Sequence, residues 1–134
     1  MNDFLIETRV YIEDTDAGGI VYYANYLRYM ERARTEFFRQ LGYLKPALFD
    51  GLQFVVRDVS IRYLKPAMLD DEITISAVLT NVSKFAFEMS QDVCRGSEVL
   101  VTASVKSVCI EVHSKSLARM PENMSGILRS NINM

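Results

Sequence analysis

Three acidic residues, two of them aspartates, and two glycines lie together in a short polar loop near the amino terminus. The loop reads Glu13-Asp14-Thr15-Asp16-Ala17-Gly18-Gly19. A carboxylate in such a loop can attack a carbonyl carbon or activate a water molecule, and glycines let a ligand approach the backbone closely. The same residues are also consistent with a simpler role, in which Asp14 and Asp16 only cap turns and the start of a helix.

A predicted strand and a predicted helix hold this loop in place. The strand covers about residues 4–12 and the helix about 23–41. Apolar side chains recur through the helix at steps of three or four, which gives one apolar face: Leu27, Met30, Ala33, Phe37, Phe38 and Leu41. Gly42 is the expected C-cap. The start of the helix, around Tyr22, Tyr23 and Ala24, offers unpaired N–H groups and the positive end of a dipole, which would stabilise an oxyanion.

After the helix the apolar period changes from 3.6 to 2. Alternating runs cover about residues 55–63, 73–80, 85–93 and 99–106, and turn residues separate them. The pattern predicts a single domain, residues 1–134, of class α+β. We expect an antiparallel, meander-like sheet of about five strands wrapped around one long helix, with a short helix after Pro121. Because one helix covers one sheet face and leaves an edge open, we also expect subunits to associate.

Other site chemistries have little support in the sequence. The single histidine, His113, falls at the end of the last predicted strand, and two separated cysteines, Cys94 and Cys109, do not form a zinc set. In the last predicted hairpin Cys94 lies opposite about Val99, so the two thiols should not pair. The net charge of −2 gives no general attraction for nucleic acid or an anionic membrane. With no apolar run long enough for a membrane span and no basic leader, the expected location is the cytoplasm.

Residues 10–26, VYIEDTDAGGIVYYANY, resemble the signature of the 4-hydroxybenzoyl-CoA thioesterase family. The continuation LRYMERARTE, residues 27–36, resembles more particularly the Tol-Pal-associated acyl-CoA thioesterases within it. The similarity continues through Tyr63-Leu64-Lys65-Pro66-Ala67 and Asp70-Asp71 to Pro121, about nine tenths of the chain.

The resemblance implies a hotdog fold whose subunits form a homodimer or homotetramer, with active sites at the subunit interface. It implies hydrolysis of an acyl-CoA thioester, with Asp16 as general base or nucleophile and the Tyr23 N–H as oxyanion donor. No cofactor or metal is implied, because coenzyme A is part of the substrate. Tol-Pal-associated members commonly carry histidine where this chain has Tyr23, so the acyl preference stays open.

Further positions are assigned to substrate binding through the same resemblance. The motif contributes Gly18, Gly19, Val21, Tyr22, Asn25 and Tyr26. Glu31 corresponds to a position that contacts the acyl group, and Arg62, Lys65 and Lys84 are candidates for the coenzyme A phosphates. Ordinary solvated charges remain the alternative for these four residues, and plain packing for Asn25 and Tyr26.

Two other functions remain open from the sequence. A hotdog protein could bind acyl-CoA or acyl carrier protein without turnover, but the acidic loop favours an enzyme. A hotdog dehydratase would need a catalytic histidine, and His113 is badly placed for that role.

Overall fold

A computed structural model describes residues 3–43, 48–49 and 51–132. In chain order its elements are β1 (Leu5–Arg9), a 3₁₀ turn (Ile12–Asp14), α1 (Asn25–Gln40), β2 (Leu48–Phe49), β3 (Leu52–Tyr63), β4 (Glu72–Ser76), β5 (Val78–Val82), β6 (Ala86–Arg95), β7 (Glu98–Glu111) and α2 (Glu122–Ser130). The predicted long helix and the short helix after Pro121 are both present. The first strand ends three residues earlier than predicted.

The described strands form one antiparallel sheet in the order β1-β4-β6-β7-β3-β2, with β5 also paired to β6. The α+β class is therefore confirmed. The strand predicted at 73–80 is divided at Ala77 into β4 and β5. The two-residue strand β2 was not predicted. The meander-like order was wrong for β3, which lies beside β7 and not β4. The 14-residue β7 pairs with β6 along one edge and with β3 along the other.

Helix α1 packs its apolar face on the sheet. Its buried side chains are Tyr26, Tyr29, Met30, Ala33, Phe37 and Phe38. They share a core with β4 and β6 residues such as Ile75 and Met89. Gln91 of β6 is fully buried between the layers, where its amide donates to the carbonyl oxygens of Met30 (3.0 Å) and Ser76 (3.1 Å). The helix ends at Gln40, and Gly42 follows with φ of 103°, the left-handed conformation expected of a C-cap.

A β-bulge in β3 decides which of its side chains face the helix. The pairing with β7 shifts between Val56 and Asp58, so Arg57 is the extra residue. As a result five apolar residues face the helix side of the sheet: Phe54, Val56, Val59, Ile61 and Tyr63. The predicted alternation placed Val55, not Val56, on this face, because a strict period of 2 contains no bulge.

Helix α1 covers the inward face of β3 only in part, through the ring contacts of Tyr26 with Tyr63 and of Phe38 with Phe54. Val56, Val59 and Tyr63 are therefore 41–45% exposed although they face inward. We call the inward side chains of Val56, Val59 and Tyr63 the open β3 face. Along residues 54–63 the outer edge of β3 also has no strand partner among the described residues.

Both cysteines and the histidine lie where the sequence placed them. Cys94 pairs with Val99 across the β6–β7 hairpin, and both thiols are free. Exposed His113 lies in the turn after β7. Within the described ranges there is no helix long and apolar enough to cross a membrane, and no group of three or more metal-ligating side chains.

Candidate active site

Asp14 connects the acidic loop to the start of α1. Its carboxylate is buried, and Oδ2 accepts the Tyr11 N–H at 2.9 Å while Oδ1 accepts the Asn25 side-chain amide at 3.0 Å. Its carbonyl oxygen accepts the Tyr22 N–H at 3.0 Å. Both carboxylate oxygens are therefore used inside the protein, and Asp14 has the structural role in the loop that its position suggested.

Asp16 lies in the same loop but faces solvent. Its backbone N–H donates to Ile20 (2.9 Å), and its Oδ1 accepts the Gly18 N–H at 2.8 Å. No described residue donates to Oδ2. A Cβ at Gly18 would lie 3.3 Å from Asp16 Oδ1, and Gly19 has φ of 80°, so the turn depends on both glycines. Asp16 thus presents one carboxylate oxygen that a substrate or water can reach.

The turn before α1 leaves a backbone donor free. The Tyr22 N–H is bonded to Asp14, and the Asn25 N–H donates to the Tyr22 carbonyl at 2.8 Å. The Tyr23 N–H between them has no acceptor among the described residues. Tyr63 Oη donates to the Tyr23 carbonyl at 3.2 Å, which holds this peptide against the end of β3. The free donor and the free carboxylate oxygen of Asp16 therefore belong to one short loop.

Aromatic side chains surround this turn. Tyr63 packs against Tyr23 and Tyr26, with ring centroids 6.2 and 5.6 Å apart, and the Tyr22 ring lies tilted against Tyr23 at 5.0 Å. A cavity of about 280 Å³ lies here, lined by Ile20, Val21, Tyr23, Tyr26, Tyr63, Leu64, Lys65 and Pro66. Burial raises the pKa values of Tyr26 and Tyr63, so both hydroxyls stay protonated. Four predicted site residues thus meet: Val21, Tyr23, Tyr26 and Lys65.

Glu31 lies at a second cavity, of about 520 Å³, between α1 and the far end of β3. The lining residues are Glu31, Arg34, Thr35, Phe38, Phe54, Val55, Val56, Phe87 and Ser107. The Phe54 and Phe87 rings are 4.8 Å apart, and Phe38 packs 5.2 Å from Phe87. We call this the aromatic cavity. Glu31 therefore borders an apolar space as well as solvent.

Arg34 was not identified as a site residue from the sequence, although it lies between the apolar positions Ala33 and Phe37 of the predicted helix. Its guanidinium donates to Gln91 Oε1 at 2.9 Å. Burial lowers its pKa, while the Glu31 carboxylate acts in the opposite direction. The spacing of Glu31, Arg34, Thr35 and Phe38 along one stripe of α1 was the available signal.

The three basic candidates do not lie together. Lys65 forms an ion pair with Glu98 at 2.8 Å and lies near Tyr23, at the end of β3 that also carries exposed Arg62. Lys84 lies beside the opposite end of β7. The Lys65 N–H bonds to Leu100 and the Cys109 N–H bonds to Phe85, and these two β7 positions are about 30 Å apart at the usual strand rise.

Lys84 instead belongs to a basic cavity of about 320 Å³. Its lining includes Arg119, Glu122 and Arg129, and the Met120 N–H donates to the Lys84 carbonyl at 2.9 Å. We missed Arg119 and Arg129 in the sequence, although basic residues on both sides of the predicted last helix were a visible signal. Three cations face one space here against one carboxylate.

Comparisons with known proteins agree with this arrangement. Residues 10–128 match the thioesterase-like superfamily. The chain belongs to this superfamily. The acyl-CoA thioesterase YbgC of Haemophilus influenzae is 36% identical over 92% of this chain and 92% of its own length. The family resemblance and the enzyme class expected from the sequence, a thioesterase, are confirmed.

Two solved structures match this thioesterase closely enough to compare folds. A probable thioesterase from Bartonella henselae is 36% identical, covers 90% of this chain and 98% of its own, and gives a TM-score of 0.81. A hypothetical protein from Aquifex aeolicus is 31% identical, covers 93% and 98%, and gives a TM-score of 0.86. The predicted hotdog architecture is confirmed.

Proposed function

We propose that this thioesterase hydrolyses acyl-CoA to a free acid and coenzyme A, with Asp16 and the Tyr23 N–H as the reacting groups. The observation that carries the proposal is the loop itself, which presents a free carboxylate oxygen and a free backbone donor a few residues apart. The 36% sequence identity with a YbgC acyl-CoA thioesterase, over 92% of this chain, supports the same substrate class.

The chemistry follows from these two groups. The thioester carbonyl oxygen accepts the Tyr23 N–H, which stabilises the negative charge that develops on this oxygen. Asp16 then either removes a proton from water that attacks the carbonyl carbon, or attacks that carbon itself to give an anhydride that water opens. The C–S bond breaks, the thiolate of coenzyme A leaves, and it takes up a proton. The reaction uses water as its co-reactant and needs no cofactor.

The open β3 face supports a dimer. It combines exposed inward apolar residues with a strand edge that has no described partner, and both features favour pairing with another chain. We propose that two copies join their β3 strands in antiparallel fashion, as a homodimer or as part of a homotetramer. A two-fold axis across β3 places the Phe54 end of one subunit beside the Tyr63 end of the other.

The proposed dimer brings together predicted site residues that lie far apart within one chain. Within one chain Tyr23 lies near Tyr63, whereas Glu31, the aromatic cavity and Lys84 lie toward the Phe54 end. Across the two-fold axis, Asp16 and Tyr23 of one subunit approach the aromatic cavity of the other. The acyl group then occupies that cavity beside Glu31, and each active site needs both subunits.

The basic cavity is the proposed site for the coenzyme A phosphates. Lys84, Arg119 and Arg129 face one space beside the start of α2, where the helix dipole also favours an anion. Arg62 is exposed and available. Lys65 is a weaker candidate because Glu98 already pairs with it.

The test is thiol release from a panel of acyl-CoAs with short, long and aromatic acyl groups, with acyl carrier protein thioesters in parallel. We expect turnover of at least one acyl-CoA. If no thioester is hydrolysed while acyl-CoA or acyl carrier protein still binds, the protein is a non-catalytic hotdog binder and the proposal is wrong.

A further inference from the structure

We infer that Asp14 is a positioning residue that sets the Tyr23 N–H relative to Asp16, an inference that rests on the proposed function. Asp14 is two residues from Asp16 in the chain and touches both sides of Tyr23 in space. Its carbonyl oxygen accepts a hydrogen bond from the Tyr22 N–H at 3.0 Å, and its Oδ1 accepts one from the Asn25 side-chain amide at 3.0 Å. Both ends of the turn that carries Tyr23 are therefore fixed to one residue.

Asp14 has no oxygen left for a substrate. Oδ2 accepts the Tyr11 N–H at 2.9 Å, so both carboxylate oxygens and the carbonyl oxygen are engaged internally. The Asp14 side chain is 9% exposed, and these donors replace the hydrogen bonds to water that burial removes. Asp14 thus acts through the residues that it holds, whereas Asp16 keeps a free oxygen.

A buried tyrosine lies close to the Asp14 carboxylate. Tyr29 is 1% exposed and lies one turn after Asn25, under the loop. Its hydroxyl has no hydrogen bond of favourable geometry within the described part of the chain, although burial and the nearby Asp14 carboxylate raise the pKa of Tyr29. Among the described residues, the donors to the Asp14 carboxylate are the Tyr11 N–H and the Asn25 side-chain amide.

The mechanistic consequence is geometric. Oxyanion stabilisation needs the donor at hydrogen-bond distance from the oxyanion position, and a displacement of about 1 Å can cost roughly a hundredfold in rate. If Asn25 or Tyr22 shifts, the Tyr23 N–H shifts with it. A defect at Asp14 should therefore appear in kcat, because the donor matters most in the transition state, and much less in KM.

An amide–carboxylate exchange tests the inference. Asp14→Asn turns one acceptor into a donor that opposes either Tyr11 N–H or the Asn25 amide, and Asn25→Asp brings two carboxylates together. The double variant puts the amide donor at position 14 and the carboxylate at position 25, so the same hydrogen bond forms in reverse and the net charge is unchanged. Asn25→Ala removes the donor without adding charge. It replaces Asp14→Asn or Asn25→Asp in the test if either of these single variants does not fold.

We expect each folded single variant to lose roughly ten- to a hundredfold in kcat, with KM for acyl-CoA changed by less than about threefold. The double variant should recover most of the loss. Wild-type kcat in the folded single variants, with only a lower melting temperature, would show that Asp14 is merely structural. Absence of recovery in the double variant would also overturn the inference. A wild-type protein without turnover instead overturns the proposed function, and this inference with it.

Discussion

The two carboxylates of the loop differ in how many of their oxygens are engaged. Asp14 uses both in internal hydrogen bonds, whereas within the described part of the chain Asp16 uses Oδ1 alone and leaves Oδ2 free. Asp16→Asn keeps the shape of the side chain and the acceptor for Gly18 but removes the basic, nucleophilic oxygen. We expect kcat to fall by at least about a hundredfold, with fold and oligomeric state unchanged, in steady-state assays on the best acyl-CoA.

Glu13→Gln is the matched control for Asp16, because Glu13 is an exposed carboxylate of the same loop. It should keep kcat within about twofold of wild type, as expected for a surface change away from the reaction. Near-wild-type turnover in Asp16→Asn would show that the catalytic assignment is wrong. The loss in Asp14→Asn should be the milder of the two.

Tyr26 and Tyr29 are both buried on α1, but among the described residues only the Tyr26 hydroxyl has a hydrogen-bond partner of good geometry. Tyr26 Oη accepts the N–H of fully buried Ala67 at 3.0 Å, so Tyr26→Phe leaves that N–H unsatisfied and should lower the free energy of unfolding by about 1–3 kcal/mol. Tyr29→Phe removes a hydroxyl without such a partner and should cost less than about 1 kcal/mol. Urea unfolding compares them, and equal losses would mean that Tyr29 bonds to Asp14 in solution.

At the scale of elements, the features that could be predicted from the sequence are those that depend on neighbouring residues in the chain. The 3.6-residue period of α1 follows from one buried face, and Gly42 ended the helix where a left-handed residue was needed. The Asp16–Gly19 turn was recognisable because its chemistry is local. The residues that bond across the loop, such as Asn25 to Asp14, are close in the chain as well.

The β3 strand shows what the sequence did not determine. Its bulge at Arg57 and its place beside β7 depend on pairing with residues about 50 positions later, and no local period encodes either. Leu27 is similar, since it continues the apolar stripe of α1 yet is 44% exposed in the single chain. The basic residues around the last helix were visible in the sequence, but their proximity to Lys84 was not, because Lys84 and Arg129 are brought together by the packing of α2.

The basic cavity supports a prediction at this scale. Exposed ion pairs contribute about 0.2–1 kcal/mol each, so Lys84→Gln should raise KM for acyl-CoA roughly two- to fivefold with little change in kcat. Added salt should weaken wild-type binding and shrink the difference between the two proteins. Lys115→Gln, which removes a lysine from the turn after β7, is the control. If KM for acyl-CoA changes neither in Lys84→Gln nor with added salt, Lys84 is an ordinary surface lysine.

For the whole molecule, the open β3 face connects assembly with activity. Its residues face inward but stay 41–45% exposed among the described residues of one chain, and the residues proposed for one reaction lie at opposite ends of the strand. A catalytic monomer would have to leave that face in water and bring those ends together. A two-fold dimer removes both difficulties with one contact.

Val59→Lys tests this contact, because Val59 lies at the middle of the open β3 face and is 41% exposed. A lysine there places a charge in the proposed interface, which is costly when it is unpaired. We expect sedimentation at micromolar concentration to show a species of 15.3 kDa, with thioesterase activity lost because each site needs two subunits. Ser60→Lys, on the opposite face of the same strand, should stay dimeric or larger and active. A wild-type protein that sediments only as a monomer yet turns over acyl-CoA would exclude a shared active site.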